Sequence, residues 1–121
     1  DVVINSDMPF IKSIQSKACD ISVSASAENS FSLELFGLKI FFNADDKILQ
    51  CLDKSAPLKC ETGTVDLRII FDTLYTEIFA DFGTVFMGMT HIADSNLNSL
   101  SIESKNAIIH NIRVSELNSI H

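Results

Sequence analysis

The chain has 121 residues, 46% of them apolar and nine of them Phe, with a formal net charge of −7 and an isoelectric point near 4.7. That apolar share excludes a disordered chain, and the acidic balance, with no local run of Lys or Arg, argues against nucleic acid or an anionic membrane as a partner. A chain of this length closes one core and removes roughly two-thirds of its unfolded surface from water, so residues 1–121 read as a single domain, and no apolar run approaches the ~20 residues that span a bilayer.

In chain order, Val2, Val3 and Ile4 form a short apolar run ended by Asn5-Ser6-Asp7. The start lacks the basic residues of a signal peptide, which leaves open both a cytoplasmic chain and one that has lost a leader. Asp7 ahead of Pro9, with Phe10, Ile11 and Ile14 at one-turn spacing, allows a short helical turn, with a strand as the alternative. In residues 19–27 Ile21, Val23 and Ala25 alternate with Ser22, Ser24 and Ser26, which makes a strand with one dry and one wet face. Glu28-Asn29-Ser30 turns the chain, residues 31–35 alternate again, and Gly37 suggests a bulge or bend before residues 38–42. Asn43-Ala44-Asp45-Asp46 is turn chemistry. Residues 47–53 form the next strand, and Ser55-Ala56-Pro57 opens a loop that closes at Thr62-Gly63-Thr64.

Residues 65–90 hold three apolar runs of period two, the mark of strands with one buried face, and read as a three-stranded meander. Val65, Leu67, Ile69 and Phe71 share one face of the first strand. Asp72-Thr73 turns into a strand whose Thr76, Ile78 and Ala80 oppose Tyr75, Glu77 and Phe79, and Asp81-Phe82-Gly83 turns again, with Gly83 free to take positive φ. A polar loop at residues 93–98 follows, and residues 99–103 and 108–117 are the last strands, joined by Ser104-Lys105-Asn106. Nine or ten short strands with no helix longer than a turn predict an all-β fold, a two-sheet antiparallel β-sandwich of jelly-roll type, with a barrel as the alternative.

The string Leu67-Arg68-Ile69-Ile70-Phe71-Asp72, followed by Glu77-Ile78-Phe79 and Gly83, resembles the signature meander in the C-terminal β-sandwich of glycoside hydrolase family 32, which contains the invertases, levanases, inulinases and sucrose-6-phosphate hydrolases. Leu52-Asp53-Lys54-Ser55 with Ala56-Pro57-Leu58, and the closing run from Asn111-Ile112-Arg113 to Asn118-Ser119-Ile120, fit the same pattern, so the likeness covers roughly residues 31–120. The chain departs from it at Thr73-Leu74-Tyr75, where members carry Arg-Ser-Ser, at Ser115, where they carry an aromatic, and at His121, where they carry Trp. The resemblance implies a non-catalytic domain that packs on and stabilises an N-terminal catalytic β-propeller of the same protein, contributes to a homodimer in some members, and belongs to a hydrolase of β-fructofuranosyl bonds in sucrose or fructans. The propeller motifs Asn-Asp-Pro, Arg-Asp-Pro and Glu-Cys do not occur in this chain.

The residues themselves make no independent case for an active site. Asp72 and Glu77 are a carboxylate pair of the kind glycosidases use, but a turn aspartate bound to local backbone and a strand glutamate are the commoner roles of such residues. His91, His110 and His121 lack ligand spacing, so no metal and no cofactor is implied. The three cysteines, Cys19, Cys51 and Cys60, are an odd number; Cys51 and Cys60 can pair across one loop if oxidised, while free buried thiols are the simpler reading. Two groups of residues are surface candidates. Arg68, Glu77 and Tyr75, with Arg113, can hold a small furanose if the domain is a fructan-binding module, although sugar platforms usually present Trp or several Tyr and this chain has no Trp and one Tyr. Phe82 at a hairpin tip and Leu74 at the opposite meander end are candidates for contact with a neighbouring domain or subunit.

Overall fold

A computed structural model describes residues 1–94 and 96–117. Ser95 of the polar loop and Asn118, Ser119, Ile120 and His121, which end the family-like string, lie outside the described residues. Two antiparallel sheets of six strands face each other. Sheet A has the spatial order β1 (Val2–Asn5), β12 (Asn106–Glu116), β3 (Cys19–Ser26), β8 (Thr64–Phe71), β9 (Tyr75–Ala80) and β10 (Val85–Thr90). Sheet B has the order β2 (Phe10–Ser13), β11 (Ser99–Glu103), β4 (Phe31–Leu35), β5 (Leu38–Asn43), β6 (Ile48–Cys51) and β7 (Lys54–Pro57). Among the described residues no strand belongs to both sheets, so the molecule is the β-sandwich that the alternation predicts and not a barrel.

The inner faces follow from the period of two. Ile21, Val23 and Ala25 of β3, Leu67, Ile69 and Phe71 of β8, and Ile78 and Ala80 of β9 are buried from sheet A, and Leu33 and Leu35 of β4, Ile40 and Phe42 of β5 and Leu49 of β6 are buried from sheet B. Each of the larger side chains among them, the alanines excepted, contributes about 1.5–3 kcal/mol by leaving water. In β12 the apolar positions change phase, from Ala107 and Ile109 to Ile112 and Val114. The structure absorbs that change with a bulge: Ile109 pairs with Ala25 and Asn111 with Ser24, leaving His110 as the extra residue. Both halves of the strand therefore keep their apolar side chains on the core.

Twelve strands replace the nine or ten counted from alternation. The helical turn allowed near Phe10 is strand β2, tied to the sheet by its pairing with β11. Gly37 does not mark a bulge: Phe36 (φ +48) and Gly37 (φ +87) are a two-residue hairpin joining β4 to β5, with Leu35 opposite Leu38. Residues 55–57, expected to open a loop, are in β7, reached through a second two-residue turn at Leu52 (φ +54) and Asp53. Pro57 fits there because β7 is an edge strand, where a missing N–H breaks no ladder. Cys51 and Cys60 are not bridged, and all three cysteines are buried free thiols. Burial pushes the Cys19 and Cys51 thiols up to about 11, which leaves them protonated and unreactive at neutral pH.

Neighbouring residues of β5 separate the two faces. Replacing Phe42, fully buried against the ring of Phe31, with Ala is expected to lower unfolding stability by about 3–5 kcal/mol. Replacing Phe41, on the solvent side, is expected to cost under ~1 kcal/mol. Urea denaturation of the two variants measures the difference, and equal losses would contradict the register.

Candidate functional site

The outer face of sheet A holds the residues that sequence singles out. Strand pairing sets them in two cross-strand rows. One runs Arg113, Ser22, Arg68, Phe79, Phe86, and the next runs Ser115, Asp20, Ile70, Glu77, Gly88. Arg68, Glu77 and Tyr75 therefore do share a face, but they do not converge. The Arg68 guanidinium turns toward β3 and forms a bidentate pair with Asp20, Nη2 to Oδ2 at 2.7 Å and Nε to Oδ1 at 3.1 Å. That hydrogen bonding holds the Asp20 carboxyl below its ordinary range. Ile70 stands between Asp20 and Glu77 in the same row and divides the face into a polar half and an aromatic half.

The polar half is a small concavity lined by Asp20, Ser22, Arg68, Arg113 and Ser115. Asp20 is the residue sequence reading overlooked: it sits in a strand whose next outward positions are Ser22 and Ser24, and only its register opposite β8 gives it a partner. The aromatic half lies over β9 and β10. The rings of Phe79 and Phe86 meet at 5.2 Å, tilted by 54°, within the range where aromatic pairs attract. Gly88 makes room for them: a Cβ there would collide with the Tyr75 hydroxyl and come within 3.2 Å of the Phe86 ring. Tyr75 and Phe86 thus lie across a glycine, 43% and 53% exposed.

Leu74 and Phe82 mark the two ends of this aromatic stripe and are not neighbours. The six residues of β9 separate them, roughly 20 Å at ~3.3 Å per residue. Phe82 is 70% exposed at the β9–β10 tip, where both it (φ +56) and Asp81 (φ +50) are left-handed. For a bulky non-glycine residue that geometry costs about 1–2 kcal/mol. The Asp81 carboxylate holds the tip in place by accepting the amides of Lys59 at 2.6 Å and Cys60 at 3.4 Å. At the other end the turn at residues 72–74 is tied to the chain after β10: the His91 amide donates to the Leu74 carbonyl and that of Ala93 to Thr73, each at 3.0 Å. Asp72 takes the local role expected of a turn aspartate, its Oδ1 accepting the Thr73 amide at 2.6 Å.

Behind that turn, fully buried Thr76 shares a 2.6 Å hydrogen bond with His91 Nε2, and the imidazole packs on Phe71 at 5.1 Å. His91 Nδ1 is buried and has no partner among the described residues. Loss of solvent pushes the imidazole below its ordinary value, and Asp72 nearby acts in the opposite sense. His91 is accordingly neutral at pH 7. Among the described residues no group of three His, Cys, Asp or Glu is placed to hold a metal ion, and no helix is long and apolar enough to cross a membrane.

Two measurements test this geometry. Gly88→Ala is expected to displace Tyr75, the single tyrosine in a chain without tryptophan, and so to change the intrinsic emission, while costing under ~1.5 kcal/mol because the flexible end of a side chain can yield. Because the folded pKa of His91 is depressed, its contribution to stability is complete above about pH 6.5 and is lost as pH falls through the folded value. Urea midpoints measured from pH 7 downward should decline, with a shallower slope in His91→Gln; identical slopes would contradict the assignment.

No protein-family model and no curated protein matches this sequence. Solved structures do match. An exo-inulinase from Aspergillus awamori superposes with a TM-score of 0.76 at 14% identity, over 93% of this chain and 26% of its own. A fructofuranosidase from Schwanniomyces occidentalis, complexed with fructosylnystose, gives 0.74 at 14% identity, over 98% of this chain and 32% of its own. A galectin from Caenorhabditis elegans gives 0.66 at 15% identity, over 93% of this chain and 94% of its own. The chain thus spans about a quarter to a third of the length of the fructoside enzymes it matches and nearly all of the galectin. At these identities the likeness establishes a common sandwich fold, found as one part of fructofuranosidase chains and as almost the whole of a galectin.

Proposed function

We propose that this chain is the non-catalytic C-terminal β-sandwich of a β-fructofuranosidase-type glycoside hydrolase of family 32, packing against and stabilising a catalytic β-propeller that hydrolyses sucrose or fructans. One observation carries the reading: inulinase and fructofuranosidase structures match 93–98% of this chain while the match occupies only 26–32% of theirs. The meander string at residues 67–83, quoted above from the sequence, supports it independently. The stripe from Leu74 through Tyr75, Phe79 and Phe86 to Phe82 is the surface we assign to the neighbouring domain or to a second subunit. An apolar band of that length is uncommon on a surface that faces only water.

The second reading is a fructan-binding module. The galectin match over 94% of that chain and the Asp20–Arg68 pair beside Arg113 favour it, since charge-paired side chains on an open sheet face can hold sugar hydroxyls. On the first reading the purified 121-residue protein leaves sucrose and inulin intact, and in the longer protein Phe82→Asp loosens the sandwich from its neighbour and lowers the thermal midpoint. Turnover by the bare chain, or association unaffected by both Phe82→Asp and Leu74→Asp, would sink it. Saturable calorimetric binding of levan that disappears in Arg68→Ala would install the second reading instead.

A further inference from the structure

A larger concavity lies on the opposite side of the sandwich. Its floor is the first part, Glu103, Ser32 and Phe41, of an outer-face row of sheet B that continues through Gln50 and Ser55 across β11, β4, β5, β6 and β7. The turns after β1, β3, β5 and β11 rise around the Glu103 end of that row and enclose an open cleft of roughly 800 Å³. Ser32 is what opens it. A small side chain between Glu103 and Phe41 leaves the Phe41 ring uncovered on that side, and the residue is 37% exposed.

The walls are tied to one another by their own hydrogen bonds. Ser104 Oγ donates to the Ser30 carbonyl at 2.6 Å and accepts the Asn106 amide at 3.1 Å, and Ser30 Oγ accepts the Ala44 amide at 2.8 Å. Asn5 Oδ1 closes the fourth turn by accepting the amides of Asp7 and Met8 at 2.9 and 3.1 Å. A ligand entering here would order little of the protein, which removes a main cost of binding. The charged groups at the rim, by contrast, form no ion pair among the described residues: the Glu28 and Glu103 carboxylates and the Lys105 ammonium all face the cleft.

The chemistry of this lining selects its ligand. Glu28, Asp45 and Glu103 against a single Lys105 disfavour an anion, and the described residues contain no cluster suited to a metal ion. Carboxylate acceptors, an ammonium donor and amide and hydroxyl side chains such as Asn29 and Ser32 around one exposed ring match a molecule that is uncharged, carries many hydroxyls and has an apolar C–H face. We infer that the cleft between Glu103 and Phe41 is a binding site for a neutral oligosaccharide, one sugar ring resting on Phe41 with its hydroxyls donating to Glu103 and accepting from Lys105. The inference goes beyond the accessory role proposed above and stands whether or not a catalytic domain adjoins the chain.

The test is a titration of the isotope-labelled 121-residue protein, followed by amide shifts. The two probes are an inulin-type fructo-oligosaccharide and a malto-oligosaccharide of equal length, each at millimolar concentration. Saturable shifts centred on residues 28–32, 41 and 103–106 with either probe are expected. The dissociation constant should rise about tenfold in Phe41→Ala, which loses the ring face, and binding should vanish in Ser32→Leu, which fills the cleft. Lys39→Ala, on the same sheet face but away from the cleft, should bind like the parent. Absence of saturable shifts with both probes would overturn the inference, as would shifts centred on Arg68 or binding unchanged in both Phe41→Ala and Ser32→Leu.

Discussion

The ring of Phe71 is where the two sheets are locked together. It lies 5.1 Å from Phe36, which belongs to the β4–β5 turn of the opposing sheet, and 5.1 Å from the imidazole of His91. Lys17 also meets Phe36, its ammonium 4.2 Å from the ring centroid and donating to the Leu97 carbonyl at 3.1 Å. Among the described residues no strand is shared between the sheets, so the angle and spacing that position both outer faces rest on inner-face side chains such as these. The left-handed backbone at Phe36 is tolerated because it delivers a fully buried ring to that contact. Aromatic contacts of this type contribute about 0.5–1.5 kcal/mol beyond the area they bury.

Two outer faces result, and they differ in kind. Sheet A presents an ion-paired patch on β3, β8 and β12 and an aromatic stripe on β9 and β10, with Ile70 between them. Sheet B presents hydroxyl, amide and carboxylate side chains around one ring. The difference follows from what each strand offers at its outward positions: Ser22 and Ser24 of β3 flank charged neighbours, whereas β9 and β10 turn Tyr75, Phe79 and Phe86 outward. The asymmetry between the two faces arises without a tryptophan.

Much of this was legible from residues alone. The period of two in residues 65–90 located three strands and sorted Arg68, Tyr75 and Glu77 onto the solvent face, because parity is a local property. Hairpins without their usual turn residues were not legible. Phe36 and Leu52 both take positive φ, a geometry for which sequence reading expects Asn or Gly, so one turn reads as a bend and the other conceals β7. The functional surfaces are harder still. That Arg68 engages Asp20 and is parted from Glu77 by Ile70 depends on β3 lying beside β8, a pairing of residues about fifty positions apart. The sheet B cleft draws on turns from residue 5 to residue 106, each recognisable as a turn and none as a wall.

The rim strands of the two sheets carry a last consequence. β2 bears Lys12, β7 bears Lys54 and Pro57, and β1 is short and follows Asp1, all devices that discourage stray chains from adding on. β10 reads Val-Phe-Met-Gly-Met-Thr, six residues with neither charge nor proline. Its outward backbone groups form an open seam on which any extended segment can zip. The integrity of this molecule in concentrated solution accordingly hinges on how that seam is covered, because the exposed rings of Phe86 and Phe82 beside it add apolar surface and no charge.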